Sequence, residues 1–299
     1  MSMQTSQLTP ERILQRLDWQ VIRRLDGLLQ GDYRTLFYGF GVDFADLREY
    51  QPDDDVRYID WNVTARMNTP YVRQYVEDRE ITAWFLLDLS PSVDFGSVDN
   101  LKRNVLINFT TTLARLLTKH GNSIGAMFYS SQIDHVIPAR GGKIQVLRLV
   151  NDLLKQPKLK KTQFTDLTPL INSGLHIIKK RSLVFIISDF ISAPGWERSL
   201  NLLSQRHEVI AIRLWDPREN EIPDIGPIII EDAETGEQLF VDTHDKNFRT
   251  RFEIAARERE EKLNFAFKHS GVDVLSISTQ EDLVKAIVRF AALRQQRRK

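Results

Sequence analysis

Acidic and hydroxyl side chains follow the ends of two short apolar runs in this sequence. Asp88, Ser90 and Ser92 stand at alternate positions where the first run ends, and Asp189 follows the second. Thr165 precedes a helical pattern that lies between the two runs. Hard oxygen ligands of this kind suit magnesium, manganese or calcium. The candidate ligands of one divalent cation, Mg²⁺ or alternatively Mn²⁺ or Ca²⁺, are therefore Asp88, Ser90, Ser92, Thr165 and Asp189.

The composition excludes several other kinds of site. The 299 residues include no cysteine, so a disulfide framework, a thiolate zinc site and a cysteine nucleophile are ruled out. The six histidines form no recognisable ligand pair, which argues against zinc. A formal net charge of +1 gives no reason to expect nucleic acid or an anionic membrane as a partner.

The elements that must position these side chains alternate between strands and helices. Strands are predicted at residues 81–88, 123–129, 132–137, 183–188, 208–214 and 272–277. Helices are predicted at residues 101–119, 143–154, 167–180, 196–206, 247–269 and 281–294. The alternation predicts an α/β fold with a doubly wound, mostly parallel six-stranded sheet, and the short spacing of the second and third strands predicts one antiparallel strand. Ligands of such sheets bind at the carboxyl ends of the strands, where the candidate residues stand.

Two further regions complete the expected organisation. Residues 1–80 are predicted to form a lead-in of one helix, beginning at Thr9-Pro10, and short strands, packed on a main domain of residues 81–299. Within this lead-in, Trp61 is interpreted as a packing anchor, in preference to a partner-binding hot spot. A β-hairpin inserted at about residues 226–243 is predicted around the turn Glu234-Thr235-Gly236.

The apolar stretches of the chain are short. None approaches the roughly 20 residues that a membrane-spanning helix needs, and the polar first seven residues do not form a signal peptide. We therefore expect a cytoplasmic protein with no transmembrane segment, although its partner could be a membrane protein.

The pattern of candidate ligands is similar to a known metal site. Asp-x-Ser-x-Ser after a first strand, a distant threonine, and an aspartate after a later strand resemble the metal-ion-dependent adhesion site of the von Willebrand factor A domain. The resemblance implies that the hydroxyls of Ser90, Ser92 and Thr165 contact the metal directly. It also implies that Asp88 and Asp189 act mainly through bound water.

A second resemblance covers nearly the whole chain. The lead-in from Gly41 to Asn62, which contains Arg48-Glu49-Tyr50 and Asp60-Trp61, resembles the bacterial family called domain of unknown function fifty-eight. Later segments fit the same family: Asp216-Pro217, Ile222-Pro223-Asp224, Glu234-Thr235-Gly236 and Val241-Asp242-Thr243. Members join this lead-in to a von Willebrand factor A-like domain and are typically encoded beside MoxR-type AAA+ ATPases. The resemblance implies such an ATPase, or its client, as the protein partner.

These observations predict a metal-dependent protein-binding module, an adaptor or co-chaperone that grips a carboxylate of its partner through Mg²⁺. A magnesium-dependent phosphatase or phosphotransferase is an alternative. Such enzymes commonly have a second carboxylate two residues after the first, whereas Ser90 stands there. The chain also has no nucleotide-binding phosphate loop, so we expect no enzyme activity. A scaffold with a vestigial, metal-free site is the third hypothesis.

Overall fold

A six-stranded sheet forms the centre of the molecule in the computed structural model, which describes residues 9–28, 47–52, 54–56, 59–67, 69–73, 81–97, 100–158 and 165–297. In chain order the strands are β1 (Leu47–Glu49), β2 (Tyr71–Arg73), β3 (Thr82–Asp88), β4 (Ser123–Tyr129), β5 (Ile133–Arg140), β6 (Leu183–Ser188), β7 (Glu208–Trp215), β8 (Pro227–Glu231), β9 (Gln238–Asp242) and β10 (Asp273–Ser278). The central sheet has the order β10-β7-β6-β3-β4-β5, in which only β5 is antiparallel to its neighbour. The predicted α/β fold with a mostly parallel six-stranded sheet is therefore confirmed.

The strand order changes direction between β3 and β6. From β3 the chain continues to β4 on one side, whereas from β6 it continues to β7 on the other side. The two strands pair in register, with Leu87 opposite Ile187, so that Asp88 and Ser188 come next. The strand order thus reverses at β3 and β6, and the carboxyl ends of strands at such a point are where open α/β sheets bind ligands.

Helices cover both faces of this sheet. They are α1 (Pro10–Leu17), α2 (Arg23–Leu28), α3 (Trp61–Met67), α4 (Lys102–Lys119), α5 (Lys143–Lys155), α6 (Thr168–Ile177), α7 (Trp196–Arg206), α8 (Lys246–His269) and α9 (Leu283–Arg297). Alternate residues of β3 point into two separate apolar clusters. Phe85 and Leu87 belong to the cluster that includes residues of α1, α4, α5 and α9, and Trp84 and Leu86 to the one that includes residues of α6, α7 and α8. A strand buried on both faces has the continuous apolar sequence seen here.

The first helical segment is part of the main core. A π-helical turn, Asp18–Ile22, joins α1 to α2, and the Thr9 hydroxyl caps α1 by accepting the Arg12 N–H. Leu14, Leu17 and Leu25 are buried in the same cluster as the sheet. Arg24 also pairs with Asp282, directly before α9, at 3.0 Å. The segment therefore covers one face of the sheet domain; its predicted end at Gly31 lies outside the described residues.

Replacing Leu25 with alanine should destabilise the whole molecule. Leu25 has no exposed surface, and truncating a buried leucine costs about 2–5 kcal/mol through lost burial and the remaining cavity. We expect urea unfolding to show a loss of this size, with Gln15→Ala on the exposed side of α1 as the matched control. A loss no larger than that of the control would mean that this segment does not stabilise the sheet domain.

The lead-in contains one helix that the sequence did not predict. β1 and β2 pair as antiparallel strands, in line with the short strands predicted there, but α3 lies between them. Asp60 caps α3 by accepting the Val63 N–H, which is the local signal that could have located this helix. Trp61 is 69% exposed, so its interpretation as a packing anchor was wrong. Residues 29–46 and 74–80 lie outside the described part of the chain.

The inserted hairpin consists of β8 and β9. They pair antiparallel, with Ile229 opposite Phe240, and they lie in the sequence between β7 and α8. Both of these side chains are largely exposed. Among all residues that the structure describes, no helix has the length and the apolar character needed to cross a membrane.

Candidate metal centre

The loop after β3 folds tightly at the carboxyl end of that strand. It passes from Asp88 through Leu89 and Ser90 into a 3₁₀ turn, Pro91–Asp94, whose first position is the proline. The Asp88 carboxylate accepts the Ser90 N–H at 3.0 Å, and the Ser90 and Ser92 hydroxyls lie 3.1 Å apart. All three residues are buried. The structure therefore brings together the Asp-x-Ser-x-Ser side chains predicted as ligands.

The loop after β6 lies next to it. Ser188, the last residue of β6, donates its hydroxyl to the second oxygen of Asp88 at 2.6 Å. Asp189 follows and accepts the Ile191 N–H at 3.0 Å. Phe190 has a left-handed backbone, with φ of 57°, and its ring packs against Trp196 and Phe267. This packing turns the chain sharply after β6 and holds Asp189 at the carboxyl end of that strand.

Thr165 reaches the same edge of the sheet by a different route. Its backbone oxygen accepts the Ala193 N–H at 2.8 Å, and Leu167 N–H donates to the Ser192 hydroxyl, so its loop is fastened to the loop after β6. The Thr165 side chain is buried, and its hydroxyl donates to the carboxylate of Glu234 at 2.7 Å. The fifth predicted ligand is thus already in contact with an acid of the hairpin.

A lysine lies beside Asp189, and it was not among the residues predicted for the site. The Lys102 ammonium, in the first turn of α4, contacts Asp189 at 2.6 Å and Glu219 at 2.5 Å, and it is almost completely buried. Burial opposes its charge, but the charges of Asp189 and Glu219 outweigh burial and raise the pKa of Lys102. The sequence did contain a signal for this burial. Lys102 stands three residues before Val105 and four before Leu106, which places it on the apolar side of the helix.

Negative charge exceeds positive charge in this cluster. Burial is the largest cause that raises the pKa of Asp88, to about 7, followed by the charge of Asp189; hydrogen bonds from Ser188 and Ser90 oppose the shift. Within the described part of the chain, Asp88 forms no ion pair with a lysine, arginine or histidine. Asp88, Asp189 and Glu219 together carry two more charges than Lys102 can neutralise when all are ionised. A divalent cation would supply the missing charge.

The donor chemistry also fits a hard cation. Carboxylate and hydroxyl oxygens converge from the loops after β3 and β6, and such oxygens are the ligands of magnesium, manganese and calcium. Among the described residues, no group of three or more histidine, cysteine, aspartate or glutamate side chains could hold a metal ion. A metal centre here would therefore depend on the serine and threonine hydroxyls.

Two acids of the site were also not foreseen from the sequence. Glu219 closes a capping box with Asp216: the Asp216 carboxylate accepts the Arg218 N–H, and the Glu219 carboxylate accepts the Asp216 N–H. This fixes Glu219 beside Lys102. The Asp216-Pro217 turn with glutamate three residues after Asp216 was a detectable signal. No local pattern indicated that Glu234 would reach Thr165, because 69 residues separate them.

Solved structures show distant similarity to this chain. The conserved hypothetical protein BatB from Bacteroides thetaiotaomicron aligns with a TM-score of 0.45 and 11% identity, over 72% of this chain and 99% of its own. The pilus adhesin SpaC from Lactobacillus rhamnosus GG aligns with a TM-score of 0.43 and 7% identity, over 74% of this chain and 31% of its own.

Proteins found by sequence comparison share a higher sequence identity with this chain than these two structures do. Uncharacterized proteins of Mycobacterium bovis and Mycobacterium tuberculosis are each 34% identical over 281 residues, which cover 94% of this chain and 88% of theirs. Residues 46–262 match the family described as "Protein of unknown function DUF58". This match and the similarity of these relatives along most of their length show that the chain belongs to the DUF58 family.

Proposed function

We propose that this protein is a binding module that grips a carboxylate of a protein partner through a divalent cation. The proposed ligands are Asp88, Ser90, Ser92, Thr165 and Asp189. The observation that carries the proposal is the buried cluster at the change of strand direction, in which Asp88 is surrounded by hydroxyl groups and a second acid. In this proposal the sheet serves as a von Willebrand factor A-like domain.

The chemistry of the ligands favours binding over catalysis. In the proposed site, the hydroxyls of Ser90, Ser92 and Thr165 contribute no negative charge, so the cation keeps most of its positive charge. A carboxylate from another protein is then a favourable additional ligand. Magnesium is the proposed metal, and manganese and calcium accept the same oxygen ligands.

A MoxR-type ATPase, or a client of that ATPase, is the proposed partner. Membership of the DUF58 family supports this choice, because the resemblance noted from the sequence connects the family with such ATPases. We propose that the protein acts as their adaptor or co-chaperone in the cytoplasm.

Partner binding should require magnesium. We expect a MoxR-type ATPase of the same organism to be retained on the immobilised protein in magnesium and to be at least about tenfold depleted in chelator, a difference of about 1.4 kcal/mol or more. Calorimetric titration with magnesium alone tests the metal site independently of the partner. Equal retention in magnesium and chelator would contradict the metal-dependent grip.

One observation favours a second candidate, the metal-free scaffold. The Lys102 ammonium is paired with both Asp189 and Glu219 and offsets one of their two negative charges, so part of the charge that a metal would supply comes from the chain itself. In that case magnesium would not change the melting temperature, because a ligand stabilises a protein only by binding its folded state.

A further inference from the structure

Glu234 is a buried acid on a hairpin whose strands are largely exposed. It is 6% exposed, whereas Ile229 and Phe240 on the adjoining strands are 63% and 70% exposed. Both carboxylate oxygens of Glu234 lie 2.7 Å from the Thr165 hydroxyl. The hairpin therefore places one carboxylate against Thr165, one of the five candidate ligands, and leaves Ile229 and Phe240 in solvent.

The turn that carries Glu234 is organised in advance. The Asp232 carboxylate accepts the N–H groups of Glu234 and Thr235 at 2.9 and 2.7 Å, and the Asp232 carbonyl accepts the Gly236 N–H at 2.8 Å. Such a turn presents Glu234 in a fixed direction at little entropic cost.

The hairpin itself has few buried contacts. Its strands have five residues each, and among their described side chains only Val241 is buried. Elements with little buried apolar surface open at a lower free energy than the core. We therefore expect the hairpin to open at a lower free energy than the central sheet.

We propose that Glu234 is an internal ligand of this site: it occupies the place of the partner's carboxylate and must be displaced when the partner binds. The inference rests on the proposed function and adds its regulation. Glu234 offers the same chemical group as the proposed partner, and it already touches Thr165, one of the five ligands. The hairpin thus holds the site closed, and only an acid that competes with Glu234 opens it.

Two measurements on the full chain test the proposal. The first titrates magnesium and then, at saturating magnesium, a short peptide with a single aspartate into wild type, Glu234→Gln and Glu237→Gln. Glu237 is an exposed acid of the same hairpin and provides the matched control. If Glu234 holds the hairpin closed in about 90–99% of molecules, loss of the Glu234 carboxylate raises the apparent peptide affinity by about 10- to 100-fold. We expect this gain in Glu234→Gln and not in Glu237→Gln.

The second measurement follows the hairpin in the unmodified protein. Hydrogen exchange of the β8 and β9 amides should become faster when the peptide is added to wild type in magnesium, because the peptide displaces Glu234. A glutamate that only fastens the hairpin would give no such response.

The outcomes separate this inference from the proposed function. If magnesium binds, but the peptide affinity is the same in all three proteins and exchange does not respond, the internal ligand is refuted and the metal site stands. If neither wild type nor either variant binds magnesium, the proposed function fails and this inference fails with it.

Discussion

Replacing Asp88 with asparagine should abolish magnesium binding without weakening the metal-free protein. Asparagine has the size of aspartate and can still accept the Ser90 N–H, and its amide can donate to the Ser188 hydroxyl. The buried negative charge is lost, however, and with it one of the two proposed carboxylates. Truncation to alanine would also leave a cavity, because Asp88 is fully buried at the end of β3.

Relative to wild type, Asp88→Asn should lose stability in magnesium but should lose none, or gain some, without metal. The folded pKa of Asp88 lies above its usual value, so folding favours the protonated form, and ionisation at pH 8 costs stability in the metal-free protein. The neutral amide avoids that cost, so Asp88→Asn should melt at the same temperature as wild type or higher in chelator. With magnesium at about 100 times its Kd, wild type should gain about 2.7 kcal/mol and the variant nothing.

Thermal melts at pH 8, in chelator and in magnesium, measure both effects. Asp134→Asn is the control, since Asp134 is an exposed acid on β5 of the same sheet. An unchanged magnesium response in Asp88→Asn would remove Asp88 from the metal site. A variant that melts far below wild type in chelator would show that the carboxylate is needed for the fold.

Replacing Lys102 with methionine should produce a protein that depends on magnesium for its stability. The ammonium lies between Asp189 and Glu219, so its loss leaves two largely buried carboxylates without their cation. Breaking a buried ion pair in this way costs about 3–5 kcal/mol. For a chain of this size the melting temperature should fall by about 10 °C in chelator.

Magnesium should reverse much of this loss. A cation at the proposed site would supply the positive charge that Asp189 has lost, and it would no longer be repelled by the ammonium. We expect magnesium to bind Lys102→Met about tenfold more tightly than wild type, and to raise its melting temperature more. Lys262→Met on the exposed side of α8 is the control. The metal-free scaffold requires that magnesium leave wild type unchanged, so a rise in the melting temperature of wild type in magnesium would exclude it.

The central sheet could be predicted because its physical signals are local. β3 and β6 are buried on both faces and therefore appear as continuous apolar runs, and an acid marks where each run ends. The helix α3 was missed because its residues include Val63 and Thr64, which have low helix propensity, and its position depends on the Asp60 cap. The exposure of Trp61 could not be deduced either, because its type alone favours burial.

The residues of the candidate site also divide into those that local sequence predicted and those that it did not. Asp88, Ser90 and Ser92 are close in sequence, and the rule that ligands bind at strand ends placed Asp189 beside them. Lys102 and Glu234 approach the site through long-range contacts, 87 residues from Asp189 and 69 residues from Thr165. Neither residue type predicts such a contact, since lysine and glutamate are mostly exposed. The charge balance of the site therefore required the three-dimensional structure.

The docking of α2 beside α9 has a consequence for biosynthesis. Val284 and Ile287 belong to the same buried cluster as Ile22 and Leu25 but are synthesised more than 250 residues after them. Strand β10, at one edge of the sheet, is also made after the other five strands of that sheet. Contacts between such distant parts of a chain form slowly. Until α9 has been made, the side of this helical segment that packs against α9 stays uncovered on the nascent chain, and exposed apolar surface of this kind favours aggregation.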